Sequence, residues 1–273
     1  MSPGPDNPSA GDIGEELRAA LRDYTLAMAD DELLLGHRDA EWTGLGPILE
    51  EDIAFSSMAQ DEMGHALVWY ELVHGLDGPE PEEAVYLRPA GEWRNARLFE
   101  LPRGDYAVSL VRQYLADLAQ GVRYDALQAS AHELLAQAAR KLRQEEKYHL
   151  LHGRTLLRRL CMGTAESRGR IQEAVDHLFP YALGMWETTP SERDLVAAGI
   201  ATDAGALEGQ WLEAVVPFLT GCGLRVAAVK ERGQWRATVD PELGGRRGRH
   251  GPELAELLEA MQALRRTDPQ ATW

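Results

Sequence analysis

The chain has 273 residues, 44% hydrophobic and 26% charged, the make-up of a globular protein long enough to bury a substantial core. Its formal charge of −16 argues against nucleic acid or an anionic membrane as the main partner, and no apolar run is long enough to cross a bilayer. With no leader-like segment, and with only Cys161 and Cys222 to offer a disulfide framework, the expected location is the cytoplasm.

In chain order, residues 1–12 are rich in Pro, Gly and Ser and are expected to form a loose tail. Helical periodicity then dominates to about residue 160. The stretch 14–39 repeats apolar residues at Leu17, Leu21, Tyr24, Met28 and Leu35, and 50–74 does so at Ile53, Met58, Leu67 and Leu72. A third stretch, 105–129, carries Leu110, Tyr114, Leu118 and Tyr124; a fourth, 132–160, carries Leu135, Leu142, Leu150 and Leu157. Four amphipathic helices of this length are the material of a bundle.

The connections choose its topology. A short turn, Trp42-Thr-Gly-Leu-Gly-Pro47, joins the first two helices, and a few residues near Ser130 join the last two, so each pair is antiparallel. Residues 75–104 are different, broken by Gly75, Gly78, Pro79, Pro81, Pro89, Pro102 and Gly104. They predict a crossover running the length of the bundle. Short, long, short is the ferritin-like pattern. The expectation is an all-α fold: a ferritin-like four-helix core over 13–165, and a C-terminal helical extension over 166–273 packed on it as one domain. Within that extension helices are expected over 168–186, ended or kinked at Pro180, over 205–220 and over 252–266, with a small β-hairpin around Gly233.

The chemistry sits on the four core helices. The sequence contains Asp-Glu62-Met-Gly-His65 and Glu-Glu146-Lys-Tyr-His149, and residues three apart on a helix share a face. Composition alone supplies about one Glu-x-x-His by chance, so each needs context. Glu71-Leu-Val-His74, beside Gly75 and with no counterpart in the second half, is read as surface. The other two are singled out by spacing: Glu32 lies 30 before Glu62, Asp117 lies 29 before Glu146, and the two motifs are 84 apart. A helix pair bearing one carboxylate and one Glu-x-x-His has been laid down twice. Glu32, Asp117 and Glu146 all fall on apolar stripes, where an acid is costly unless paired or metal-bound. Glu32, Glu62, His65, Asp117, Glu146 and His149 are therefore the predicted metal ligands, with Asp125 as a rival to Asp117 and Glu145 to Glu146. Glu145 is disfavoured because it stands four from His149 and off the repeat of Glu62. Tyr148 and His152 are read as packing or supporting residues. Carboxylates and imidazoles suit two iron ions, with manganese also compatible.

The segments Leu33–Ala54 (LLLGHRDAEWTGLGPILEEDIA), Arg112-Gln-Tyr-Leu-Ala-Asp117, Tyr148-His149, Gly244-Gly-Arg-Arg-Gly248 and Glu259-Ala-Met-Gln262 resemble the C-subunit family of bacterial phenylacetyl-CoA epoxidases. The resemblance covers nearly the whole chain, and the stretches around Trp42 and Gly244 are its most specific parts. It implies a place in a multicomponent monooxygenase that epoxidises the ring of phenylacetyl-CoA. The implied partners are a paralogous catalytic A-type subunit, a small bridging B-type subunit and a reductase that supplies electrons from NADPH. Many C-type subunits of this family are structural and have lost ligand positions; this chain keeps them. The resulting expectations are an oxygenase subunit with its own di-iron site, a structural partner of the A-type subunit, or a di-iron oxidase or ferroxidase acting alone. No dinucleotide fingerprint is present, so neither NADPH nor flavin is expected on this chain. The basic loop with Arg246, Arg247, Arg249 and His250 is read either as a contact for the coenzyme A phosphates or as a partner-facing or solvated loop.

Overall fold

A computed structural model describes residues 13–268. The tail expected over 1–12 lies outside the described residues. The core helices are α1 (Glu15–Ala40), α2 (Leu49–Gly75), α4 (Tyr106–Leu127) and α5 (Glu133–Cys161), close to the bounds that periodicity predicts. Their starts are set by local chemistry. Asp105 accepts from the Val108 N–H at 3.0 Å to cap α4, and His132 does the same for α5 through the Leu135 N–H at 3.4 Å. The turn between α1 and α2 contains Gly44 with φ +79, a conformation that favours glycine.

The segment between α2 and α4 follows α1, with Asp77 on Arg18, the Arg94 N–H on Asp30 and Arg103 on the Glu41 carbonyl. It holds a short helix α3 (Pro81–Tyr86), with Pro81 in its first turn, and two 3₁₀ turns. Beyond α5 come α6 (Ala165–Leu183), α7 (Glu192–Ala197), α8 (Ala204–Gly221) and α9 (Pro252–Thr267). Pro180 lies inside α6, which ends three residues later in a 3₁₀ turn at Gly184–Trp186. The hairpin is present as β1 (Ala228–Glu231) and β2 (Gln234–Ala237), antiparallel with Ala228 opposite Ala237. Among the described residues no helix is long and apolar enough to cross a membrane.

The packing explains which helix faces are dry. Helices α6 and α8 lie against α4, and α7 lies against α1, while α3 and α9 pack on each other. Wrapped in this way, α1 and α4 are buried on nearly every side, whereas α2 and α5 keep an exposed outer face. An apolar cluster with Leu21, Trp69, Tyr70 and Leu135 fills the lower half of the bundle; Trp42, Phe55 and Met58 fill the upper end. Between them, at mid-height, the layer is polar.

Extension and crossover are both tied to α1 by buried acids. The Arg88 guanidinium and the Arg94 N–H meet Asp30, while the Ala96 N–H and the Arg246 guanidinium meet Asp31. The segment around Gly244 owes its glycines to this docking. A Cβ on Gly245 would lie 2.1 Å from the Asn95 carbonyl oxygen, and Gly248, at φ +71, lies against the Gly91 carbonyl. Only that close approach carries Arg246 inward to Asp31.

Candidate metal centre

Glu32 on α1, Glu62 and His65 on α2, Asp117 on α4, and Glu146 and His149 on α5 converge on the polar layer. None is more than 3% exposed. They fall into two adjoining groups: Glu32, Glu62, His65 and Glu146 in one; Glu62, Asp117 and His149 in the other. Within each group the potential ligand atoms all lie within 4.8 Å of one another. Glu62 belongs to both, its Oε2 standing 3.6 Å from His65 Nδ1 and its Oε1 3.3 Å from His149 Nδ1. Glu146 Oε1 also lies between the imidazoles, 3.5 Å from His65 Nδ1 and 3.9 Å from His149 Nδ1. Two carboxylates positioned between two imidazoles, with one further carboxylate on each side, is an arrangement that can hold a pair of cations.

The polar atoms themselves test this fit. Glu62 Oε2, His65 Nδ1, Asp117 Oδ2, both oxygens of Glu146 and His149 Nδ1 are buried and have no hydrogen-bond partner. Buried polar atoms in folded proteins are nearly always paired. Six orphans turned towards one another make a donor set able to hold metal ions. Four carboxylates also balance the charge of two divalent ions.

Without such a charge the site is electrostatically crowded. Burial first, and the Glu62 carboxylate next, push the carboxyls of Glu32 and Glu146 above the ordinary range. Asp117 is raised by burial and then by Glu146. Glu62 is held low: burial alone would raise it, but the neighbouring Glu32 carboxyl and the two imidazoles, His149 and His65, outweigh burial. Burial would lower both histidines, yet the surrounding carboxylates win, raising His65 well above its usual value and His149 to about 11.

The outer side of each imidazole is held from the opposite helix. His65 Nε2 pairs with Glu145 Oε2 at 2.7 Å, and His149 Nε2 with Asp61 Oδ2 at 3.1 Å. A carboxylate on Nε2 fixes the tautomer that turns the Nδ1 lone pair inward. Sequence reasoning treats Glu145 as a weaker rival ligand and passes over Asp61. The signal is there, since Asp61 and Glu145 are themselves 84 apart and each precedes a motif glutamate. Amides and a phenol complete the surround. Gln113 donates to Glu62 Oε1 at 2.9 Å and to Asp117 Oδ1 at 2.6 Å, Gln120 donates to Glu32 Oε2 at 2.7 Å, and the Tyr124 hydroxyl donates to Glu32 Oε1. Periodicity reads these as residues of a buried stripe and cannot separate them from packing.

The remaining candidates lie elsewhere. Asp125 is exposed and pairs with Arg143 at 2.7 Å. Glu71 and His74 are exposed, and so is Tyr148, while His152 pairs with Glu51 at 2.9 Å. The basic loop needs correcting at two positions, of which one is His250, turned inward onto Glu100 at 2.7 Å and the Trp93 carbonyl at 3.0 Å. Arg246 is buried, donating to both Asp31 oxygens and to the carbonyls of Ala27, Arg94 and Met185, so it holds the extension in place and does not reach a ligand outside. Arg247 and Arg249 stay on the surface, Arg247 3.4 Å from Glu187.

Fold and site together define a ferritin-like bundle with a buried carboxylate–histidine cage able to hold metal. The chain belongs to the phenylacetic acid catabolic protein family, whose sequence pattern matches residues 8–273. It is 30% identical over 254 residues to the C-type subunit of 1,2-phenylacetyl-CoA epoxidase from Escherichia coli (strain K12), covering 93% of this chain and 99% of that protein. The A-type subunit of the same enzyme is 26% identical over 148 residues, covering 54% of this chain and 48% of the relative.

Proposed function

We propose that this chain is a subunit of a phenylacetyl-CoA epoxidase that carries its own di-iron centre. The single observation behind the metal is the set of six unpartnered, mutually facing donor atoms at mid-bundle. Support for the assembly comes from the two relatives, which are named as subunits of one enzyme.

Glu32, Glu62, His65 and Glu146 would hold one ion, and Glu62, Asp117 and His149 the other. Two irons so held would supply the two-electron activation of dioxygen that ring epoxidation requires. The chain's own contribution is positional. Asp61 and Glu145 keep the imidazoles in the ligating tautomer, Gln113 and Gln120 aim the carboxylates, and the apolar clusters above and below exclude water. Iron is favoured over manganese by the oxygenase reading.

The partners in this reading are a paralogous A-type subunit, a bridging B-type subunit and a reductase, acting in the cytoplasm on an acyl-CoA. The outer faces of α2 and α5 carry Leu67, Tyr148 and Leu151, the last two 74% and 63% exposed, the kind of apolar surface that a protein partner covers. Arg247 and Arg249 are the surface cations left for a phosphate or an acidic partner. A role as structural partner of the A-type subunit is the second reading, favoured by the fuller match to the C-type relative.

Anaerobic iron(II) titration of the purified chain checks the first reading: it predicts about two irons per chain, one for each ligand group. Binding of less than one iron per chain would leave only the structural role. Replacing Glu62 and His65 with leucine in the reconstituted complex separates the two further, because the metal reading predicts lost activity and the structural reading predicts none lost.

A further inference from the structure

Tyr124 stands apart from the other buried aromatic residues. Its hydroxyl donates to Glu32 Oε1, a carboxylate of the cage, and it also accepts the Trp69 indole N–H at 3.2 Å. The two rings lie 5.7 Å apart between centroids, and both are buried. Tyr70, the residue that follows Trp69, offers an internal comparison. It too donates to a buried acid, Asp30, but that acid is neutralised by Arg88, which closes the group as a structural ion pair. The stacked pair Phe179–Trp211 and the pair Tyr114–Phe218 have no such hydrogen bond to the cage. Among the described residues, only Trp69 and Tyr124 form a continuous donor–acceptor line, indole N–H to phenol O–H to carboxylate, that ends on a side chain of the cage.

We propose that Trp69 and Tyr124 form a proton-coupled electron relay into the metal cage, one that draws a single oxidising equivalent out of the oxidised centre when no substrate takes it. This rests on the metal reading above. In the first step the Tyr124 phenol passes one electron to the iron centre that dioxygen has oxidised, and its proton moves along the existing hydrogen bond to the Glu32 carboxylate. The O–H bond breaks, a carboxyl O–H forms, and a neutral phenoxyl remains. In the second step Trp69 passes one electron to that phenoxyl, and the indole proton, already directed at Tyr124 Oη, restores the phenol. The hole then rests on the neutral indole radical. Each transfer moves one electron and one proton together, so neither step leaves a net charge in the apolar surroundings, where an isolated ion is costly. Dioxygen is the terminal oxidant, and the aromatic pair is what becomes oxidised.

The full chain, loaded anaerobically with iron(II), mixed with dioxygen and freeze-quenched, is read by electron paramagnetic resonance. An organic radical signal is expected whose hyperfine pattern changes in protein grown on ring-deuterated tyrosine. The tyrosine-derived signal is lost in Tyr124→Phe and outlives the wild-type signal in Trp69→Phe, where the second donor is missing. The same radical in Tyr124→Phe would overturn the relay, as would iron oxidation by dioxygen with no organic radical in wild type or Trp69→Phe. Should Tyr124→Phe fail to fold, the Trp69→Phe lifetime decides, and a lifetime equal to wild type would refute the order of transfer. Failure of the wild type to bind iron would remove the metal reading and the relay with it; iron binding without a radical would remove the relay alone.

Discussion

Helix α1 carries three consecutive acids, Asp30, Asp31 and Glu32, all buried, and they meet two different fates. Asp30 and Asp31 are answered inside the protein, by Arg88 and by Arg246 respectively, and Glu100 is likewise answered by His250 at 2.7 Å. Glu32 turns to the cage, where four carboxylates share two imidazoles and no arginine or lysine pairs with any of them within 4.0 Å among the described residues. The difference teaches how to read buried charge. An acid matched by a guanidinium is a tie between elements. An acid that no guanidinium or ammonium answers, set among the orphaned oxygens of Glu62, Asp117 and Glu146, is a place for a cation from outside.

The comparison can be broken most forcefully at Asp31. Asp31→Ala leaves the Arg246 guanidinium buried without its counter-charge, and loss of one partner of a buried pair costs about 3–5 kcal/mol. Chemical denaturation should show that loss, and the double variant Asp31→Leu with Arg246→Met should recover most of it. An unchanged midpoint in Asp31→Ala would mean that the pair does not hold the extension. Next come the residues that aim the histidines. Asp61→Asn and Glu145→Gln should each weaken metal binding roughly 10–100-fold while leaving metal-free stability almost unchanged, which calorimetric titration with iron(II) or cobalt(II) will register. Equal affinity in both variants would show that these carboxylates are incidental.

Within the cage the sign reverses. Glu146→Gln removes a carboxyl that burial and Glu62 disfavour, so the metal-free protein should gain about 1–2 kcal/mol, while the metal-bound protein should lose its metal-dependent stabilisation. Melting curves with and without metal decide, and destabilisation of the metal-free form would place Glu146 among the structural acids. The smallest effect is expected at the surface of the basic loop. Arg247→Glu with Arg249→Glu should shift stability by no more than about 0.5 kcal/mol, in contrast to Arg246 one position away.

How much of this is legible in the sequence follows from range. The four core helices are, because a 3.6-residue apolar repeat sustained over about six to eight turns is a local signal. The six-residue helices α3 and α7 are not, being too short to show a period. The six cage residues stand out because a doubled spacing of 84 survives whatever the loops do. Asp30 and Asp31 read only as acids beside Glu32, since what buries them is the crossover and a glycine-rich segment more than 200 residues away, as with the hydrogen bond from Arg246 to Asp31. The same distance explains Arg246. A basic loop looks solvated until the glycines that let it dock are seen against their neighbours. Tyr124 and Trp69 are legible as core but not as partners of Glu32, because a hydrogen bond across helices leaves no mark in either repeat.

Anomalous diffraction at the iron edge, from crystals of the chain soaked anaerobically in iron(II), tests the cage most directly. Two peaks are predicted, one among Glu32, Glu62, His65 and Glu146 and the other among Glu62, Asp117 and His149, with both absent in Glu62→Leu. Density with no anomalous peak at these positions, or peaks that persist when Glu62 is gone, would contradict it.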